Sequence, residues 1–353
     1  MKVVHQKISM KNPVKPTTKS LAQAAGVSLA TVDRVLNSRS GVREATIKKV
    51  NQAIADIGYV RDLSAANLAR NREYRFIFIL PIIGDHFLDE IYRNLKEINR
   101  VMASERVIVN TLQVDETNPH KLAKLLRGLD TDNLEGVAIM APETPPLRDA
   151  IHHLKEQGVH VLAFISNLPN SNCDNFVGID NKAAGRTAAK LLGRFLQPEN
   201  GKIIVVAETM QSRDSLERRL GFDAIMSSEF KQLSVLPTLE TYNDPVRAKL
   251  VVTNALNSYQ NIRGIYILSS EARIIMNAIS KIPQVKKLTK IAHERTAYTQ
   301  HALGINELDA VITQNTGHLV RSAIRTLRAK SDYRDIFESQ EKIRIEILLK
   351  ENL

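Results

Sequence analysis

The sequence predicts an α/β protein: a small helical N-terminal domain, then two doubly wound parallel-sheet subdomains. Three observations predict it. Residues 74–353 alternate short apolar, β-branched runs with helical segments throughout, while residues 17–57 carry three stretches of helical apolar spacing. The charge is also split. Residues 1–75 hold 14 lysines and arginines against 5 acids, and residues 76–353 hold 35 against 33. Nearly all of the formal +11 therefore sits in the first fifth of the chain, as in a nucleic-acid-binding segment. A solvated basic tail is the alternative.

The bulk properties bound the rest. A chain of 353 residues has room for about two or three domains. A composition of 43% apolar and 25% charged residues is that of a globular chain. The one cysteine, Cys173, allows no intramolecular disulfide, which suits a reducing compartment. The opening "MKVVHQKISMKNPVKP" has no apolar run of a signal peptide, and no stretch approaches the length of a spanning helix. A cytoplasmic protein with no membrane partner is expected.

In the N-terminal domain, residues 17–25 form a short helix with Leu21, Ala22 and Ala25 apolar. A tight turn over residues 25–28 leads into "SLATVDRVLN", where Val32, Val35 and Leu36 share a face. A third helix spans 44–57, with Ile47, Val50, Ile54 and Ile57 on one stripe and Gly58 as its stop. Leu21, Val27, Val32, Val35, Ile47, Val50 and Ile54 supply a small core. This is a helix-turn-helix pattern, although ordinary helical hairpins also carry glycine in the turn. Residues 61–73 follow as a linker. Within it "SAANLAR" spaces alanines for a helix too short to stand alone in water. Such a helix could form where two copies pair on DNA, with Leu68 as a wedge into a minor-groove step. The alternative is a plain linker with solvated arginines.

The body follows from residue 74. Its apolar runs are "YRFIFIL" (74–80), "RVIVNTL" (106–112), "GVAIMA" (136–141) and "VHVLAFI" (159–165), with helical segments near 86–103, 119–129 and 146–157. The pattern repeats in "FVGI" (176–179), "KIIVVA" (202–207), "VLPTLE" (235–240), "IRGIYIL" (262–268), "KIAH" (290–293) and "AVITQ" (310–314). Continuous apolar strands separated by helices imply parallel sheets covered on both faces. So many strands suit two subdomains, and the tail "KIRIEILLKENL" reads as a last strand or two of the second. In such sheets ligands bind beyond the carboxyl ends of strands. The polar clusters and their neighbours there are Asp85, His86 and Phe87, Ser166 and Asn167, residues 210–213, Ser269 and Ser270, His293 and Glu294, and Gln314. Any one of them could instead simply cap the next helix.

"TTKSLAQAAGVSLATVDRVLN", "SRSGV", "KVNQAIADIGYVRD" and "SAANLAR" run in the order and spacing of the lactose/galactose repressor family headpiece. The resemblance is collinear from about Pro16 to Arg70. It is patchier in the body, which resembles that family's effector-binding core, itself similar to periplasmic sugar-binding proteins. It departs in Asp33, where the family often has serine, and in some fifteen extra N-terminal residues.

The resemblance implies residues 1–15 as a basic extension, 16–60 as the headpiece, 61–73 as a hinge helix, and 74–353 as the core. The first subdomain would hold about 74–170 and 315–335, the second about 171–314 and 336–353. Leu29, Ala30 and Arg34 match base-reading positions. Arg34 has the chemistry for a bidentate contact to guanine, and Leu29 and Ala30 for a thymine methyl. Thr17, Ser28, Thr31 and Asn37 match phosphate-holding positions. A cleft between subdomains would be lined by Asp85, Phe87, Ser166, Asn167, Arg218, Ser270, Glu294 and Gln314. Arg218 matches the family's effector-contacting arginine, and Phe87 would stack against a ligand ring.

The implied protein is a homodimeric transcription regulator, a repressor, of double-stranded DNA at a pseudo-palindromic operator. Its effector would be a small polar molecule, a sugar or sugar derivative, although the acid usual after the fourth strand is replaced by Ser166 and Asn167. A non-regulatory cytoplasmic sugar-binding protein is the other reading, weakened by the basic headpiece. No cofactor, metal site or enzyme activity is expected. The pairs His293-Glu294 and His152-His153 lack zinc-helix spacing, and no phosphate-cradling glycine loop follows a strand.

Overall fold

The computed structural model describes residues 16–36, 40–59, 72–82, 86–115, 118–198 and 200–353. The expected extension (1–15), the hinge helix with Leu68, and the side chains of Asn37 and Asp85 lie outside them. Two compact units result, residues 1–72 and 73–353.

In the first unit, helix α1 (Thr18–Ala25) begins at a reciprocal cap. The Thr17 hydroxyl accepts from the Ser20 amide, and Ser20 accepts from the Thr17 amide. Gly26 ends the helix at φ 62°, a left-handed conformation that costs glycine little. Helix α2 (Leu29–Leu36) starts where Ser28 accepts from the Thr31 amide at 3.1 Å. Helix α3 (Glu44–Ile57) ends at Gly58, also left-handed. Leu21, Ala22, Ala25, Val32, Val50 and Ala53 form the core, with Val27, Val35 and Ile54 against it. Ile47, expected inside, is only half-buried and outside that cluster, and Ala53 lies within it.

In the second unit, the first sheet holds β1 (Tyr74–Pro81), β2 (Val107–Val114), β3 (Gly136–Ile139), β4 (His160–Phe164) and β5 (Asn175–Val177), in the all-parallel order β2-β1-β3-β4-β5. The second holds β6 (Gly201–Ala207), β7 (Leu233–Glu240), β8 (Ile262–Ile267), β9 (Thr289–His293), β10 (Ala310–Gln314) and β11 (Ile345–Leu348). Its order, β7-β6-β8-β9-β10-β11, repeats that of the first, with the single tail strand β11 antiparallel to β10. Strand β5 pairs with β4, so the expected change of subdomain at 171 moves to beyond Val177. Three residues are too few to assign a sheet from pattern alone.

Strand alternation sorts the side chains. Phe76, Phe78 and Leu80 of β1 and Ile203, Val205 and Ala207 of β6 join one core, while Ile79 and the pair Ile204 and Val206 face the opposite layers. Helices α4 (His86–Met102), α5 (Pro119–Arg127) and α6 (Pro145–Glu156) cover the first sheet. Helices α7 (Asn181–Leu196), α8 (Arg213–Glu229), α9 (Pro245–Ser258), α10 (Ala272–Ile279) and α11 (Ala297–Gly304) cover the second. Helix α12 (Thr316–Ser331) follows β10 but packs on β1, β3, β4, β5 and α4 of the first sheet. The chain thus crosses between subdomains three times, after β5, after β10 and after α12.

Asp174 ties β4 to the approach of β5. Its carboxylate accepts from the Val161 amide at 2.8 Å and pairs with Lys155 at 3.0 Å. Burial alone would raise this carboxyl, but the His160 ring, the Val161 amide and Lys155 outweigh it and hold it at about 2. A folded value below the ordinary one means the contribution is full above about pH 4 and is lost as pH falls through about 2. Asp174→Asn is expected to cost about 2 kcal/mol at neutral pH. Denaturant unfolding should also show a flatter loss of stability than wild type between about pH 4 and pH 2. Parallel pH profiles would contradict the assignment.

Candidate functional site: an exposed helix face and a polar cleft

On α2 the residues split cleanly. Val32 is fully buried, whereas Ser28, Leu29, Ala30 and Arg34 are exposed and Thr31 is half-buried. Leu29 is 51% exposed, an apolar side chain that the core does not use. Thr17 and Ser28 sit at helix N-termini, where free amides and the helix dipole favour an anion. Ser28 and Thr31 also share a hydroxyl contact at 2.9 Å. The surface therefore places two hydroxyl-capped helix N-termini on the same small unit as one exposed apolar side chain and one exposed guanidinium.

The second site forms where strand ends of the two sheets meet. Its central contact is a buried ion pair, Arg218 Nη2 to Glu294 Oε1 at 2.9 Å, with the side chains 6% and 1% exposed. The rest of the guanidinium is held as firmly. Nε donates to Asn181 Oδ1 and Nη1 to the Leu268 carbonyl, both at 2.8 Å. Gln314 Nε2 donates to the same Glu294 oxygen at 3.3 Å, and Thr313 to the other at 3.4 Å. Arg218 and Gln314, far apart in sequence, thus converge on one carboxylate.

Across the cleft, Ser166 of the first subdomain donates to Asp214 Oδ2 at 2.7 Å, and Asn181 donates to Oδ1 at 3.1 Å. Burial pushes the Asp214 carboxyl above the ordinary range, against the opposing pull of Arg218 and the Ser166 hydrogen bond. Two further carboxylates bridge the subdomains. Glu271, 1% exposed, accepts from the His86 amide at 3.4 Å, and Glu90 pairs with Arg295 at 3.1 Å. An open depression along this seam is lined by His86, Asp89, Glu90, Tyr92, Arg93 and Thr296.

The two halves present these residues by the same device. Ile165 follows β4 and Glu294 follows β9, each the fourth strand of its subdomain in chain order. Both are left-handed, at φ 65° and 62°, and each amide donates at 2.8 Å to the next strand, at Val177 and Ile312. A non-glycine residue there costs about 1–2 kcal/mol. That cost turns the chain sharply out of the strand and aims Ser166 and Glu294 at the cleft.

Other expected residues divide. Phe87 is 2% exposed within the shared core, one turn from Ile91, so it packs there and is no platform for a ring. Its helical spacing to Ile91 and Leu95 is the signal of that role. Asn167 and Ser270 are half-buried at their strand ends. Ser269 accepts from the Glu208 amide at 2.6 Å, a loop role. His293 is fully buried, hydrogen-bonded to the Tyr266 hydroxyl at 2.7 Å, and held well below its usual pKa by burial and by Arg218. Sequence reasoning does not single out Asp214, Asn181 or Glu271. Asp214 stands one residue past the 210–213 cluster, and Asn181 follows the α7 cap Asp180, positions that mimic ordinary helix starts.

Two parallel-sheet subdomains around a polar cleft, carried on one chain with a helix-turn-helix unit, define a class by architecture: a periplasmic-binding-protein-like body joined to a small helical headpiece. The chain belongs to the periplasmic binding protein domain family through residues 76–334, and residues 17–62 carry the domain of bacterial regulatory proteins, lacI family. It is 34% identical over 136 residues to the HTH-type transcriptional regulator RegA of Clostridium saccharobutylicum, covering 38% of this chain and 39% of that one. It is 28% identical over 208 residues to the sucrose operon repressor of Streptococcus mutans, covering 59% and 61%. The matched region thus spans less than two thirds of either relative. An ABC transporter solute-binding protein from Burkholderia graminis, solved in complex with D-arabinose, superposes with a TM-score of 0.69 at 18% identity, over 80% of this chain and 97% of that one. That likeness is one of fold. No described helix is long and apolar enough to cross a membrane.

Proposed function

We propose that this chain is a transcription regulator, a repressor, that binds a pseudo-palindromic operator in double-stranded DNA as a cytoplasmic homodimer. A small polar, carbohydrate-like effector in the body's cleft controls operator affinity. The observation that carries the reading is the exposed face of α2: Leu29, Ala30 and Arg34 stand out from a helix whose other side is core. It is supported by the lacI-family domain, by relatives named regulators and repressors, and by a body built like proteins that hold sugars. Two identical headpieces reading two half-sites require two-fold symmetry. Residues 61–73 carry the coupling in this reading, with Leu68 wedged at a base step when the segment folds on DNA.

The test begins with a site selected by the full chain from random duplex DNA. Arg34→Ala should lose roughly 1–3 kcal/mol at one base pair per half-site and relax specificity there. Thr31→Ala should weaken all sequences alike. Equal losses on every point variant of the site with Arg34→Ala would remove Arg34 as the reader.

A further inference from the structure

The charges at the cleft do not balance. Glu294 has Arg218 at 2.9 Å, Glu271 has Arg273 at 3.5 Å, and Glu90 has Arg295 at 3.1 Å. Asp214 has no ion pair among the described residues; its partners are the Ser166 hydroxyl and the Asn181 amide. Arg218 donates to Asn181, Leu268 and Glu294 and makes its ion pair with Glu294, and Arg213, one residue before Asp214, pairs with Glu217 at 2.9 Å. One half-buried carboxylate is therefore left without an ion-paired cation among the described residues.

The hydrogen-bond inventory leans the same way. Gln314 is 3% exposed, its amide nitrogen lies on Glu294, and its Oε1 is buried without a donor among the described residues. A buried acceptor left unmade costs as much as a lost hydrogen bond. Each Asp214 oxygen takes one hydrogen bond where a carboxylate oxygen has room for two. The site holds one buried acceptor without a donor and one carboxylate without an ion pair. A carboxylate or phosphate on the ligand would add to both imbalances.

We propose that the cleft takes a polyhydroxy ligand bearing a protonated amine, an amino sugar in chemical class, whose ammonium pairs with Asp214, and that it rejects sugar acids and sugar phosphates. This rests on the reading of the cleft as the effector site. The ligand's hydroxyls supply the donors that Gln314 Oε1 lacks. Its ammonium replaces Ser166 as the main partner of Asp214, so occupancy exchanges a contact between subdomains for a contact to ligand. That links the ligand's charge to the spacing of the two halves.

The experiment is calorimetry on the full chain with stereochemically matched sets: glucosamine, galactosamine and mannosamine, their parent hexoses, the hexuronates, and the hexose 6-phosphates. A hexosamine is expected to bind roughly tenfold or more tightly than its parent hexose, the scale of a charge-assisted hydrogen bond. Asp214→Asn, which keeps the size and the acceptor for Ser166, should collapse that ratio toward one. A hexose, hexuronate or phosphate that binds as tightly as its amine counterpart, with binding lost in Gln314→Ala, keeps the cleft as effector site and overturns the amine. Binding by no member of the set, or binding indifferent to Gln314→Ala, overturns the cleft reading and this inference with it. A hexosamine preference that survives Asp214→Asn overturns the role of Asp214.

Discussion

Arg218→Met is expected to lower stability by about 3–5 kcal/mol, because it strands the Glu294 carboxylate where solvent does not reach it. The cost arises from the survivor. Glu294 is 1% exposed and held left-handed after β9, so it cannot swing out to water. Removing the charge from both partners should undo most of the damage. Arg218→Met with Glu294→Gln leaves the Gln314 and Thr313 contacts an amide partner and no buried charge. Denaturant unfolding of the two variants decides: if the double variant is as unstable as the single one, the ion pair is not the cause. The same reasoning changes how Arg218 is to be read as a ligand contact. A loss of effector response in Arg218→Met would arrive with a loss of fold stability. Gln314→Ala is the cleaner probe of the cleft.

Gly185→Val and Gly221→Val should each cost about 3 kcal/mol or more, at the high end for overpacking, because the collision is with backbone. Helices α7 and α8 touch through these two glycines. A Cβ on Gly185 would stand 1.9 Å from the Arg218 carbonyl oxygen, and one on Gly221 would stand 2.0 Å from that of Lys182. No rotamer change relieves either contact, so the helices must part. Parting them moves Arg218 and Asn181, one on each helix, out of register with Glu294 and Asp214. Ligand affinity should therefore fall together with thermal stability. Gly304→Ala is the control, since a Cβ there meets nothing within 4 Å and alanine is the better helix former. Gly185→Val unfolding at the wild-type midpoint would show that the close approach is not needed.

Much of the site is legible in the order of residues. Glu294, Gln314 and Ser166 stand as polar residues at strand ends, Arg218 is pointed to by the family resemblance, and all four enter one hydrogen-bonded network. What cannot be read is who pairs with whom. Arg218 could have faced solvent-borne ligand; it is instead clamped by Asn181 and Glu294, 37 and 76 residues away. Phe87 misleads because an aromatic after a strand looks the same whether its ring faces a cleft or a core. It is buried in the core that α12, arriving from the far end of the chain, shares through Leu319, Val320, Ala323 and Ile324. Asp214 escapes notice because an acid in the first turn of a helix is ordinary, and its lack of a paired cation emerges only when every neighbour is known.

Local and periodic features are set by the order of amino acids alone. The two-residue alternation of the strands, the helical stripes, the caps at Thr17 and Ser28, the left-handed stops at Gly26 and Gly58, and the basic first fifth are properties of neighbouring residues. It took the folded chain to fix the sheet to which β5 belongs, the crossing of α7 and α8 through two glycines, and the charge balance of the cleft. The physical reason is range. Backbone sterics and burial periodicity act within a few residues and leave a trace in the pattern. Ion pairing and close packing depend on distances between segments that the chain brings together only after it has crossed three times between its two halves.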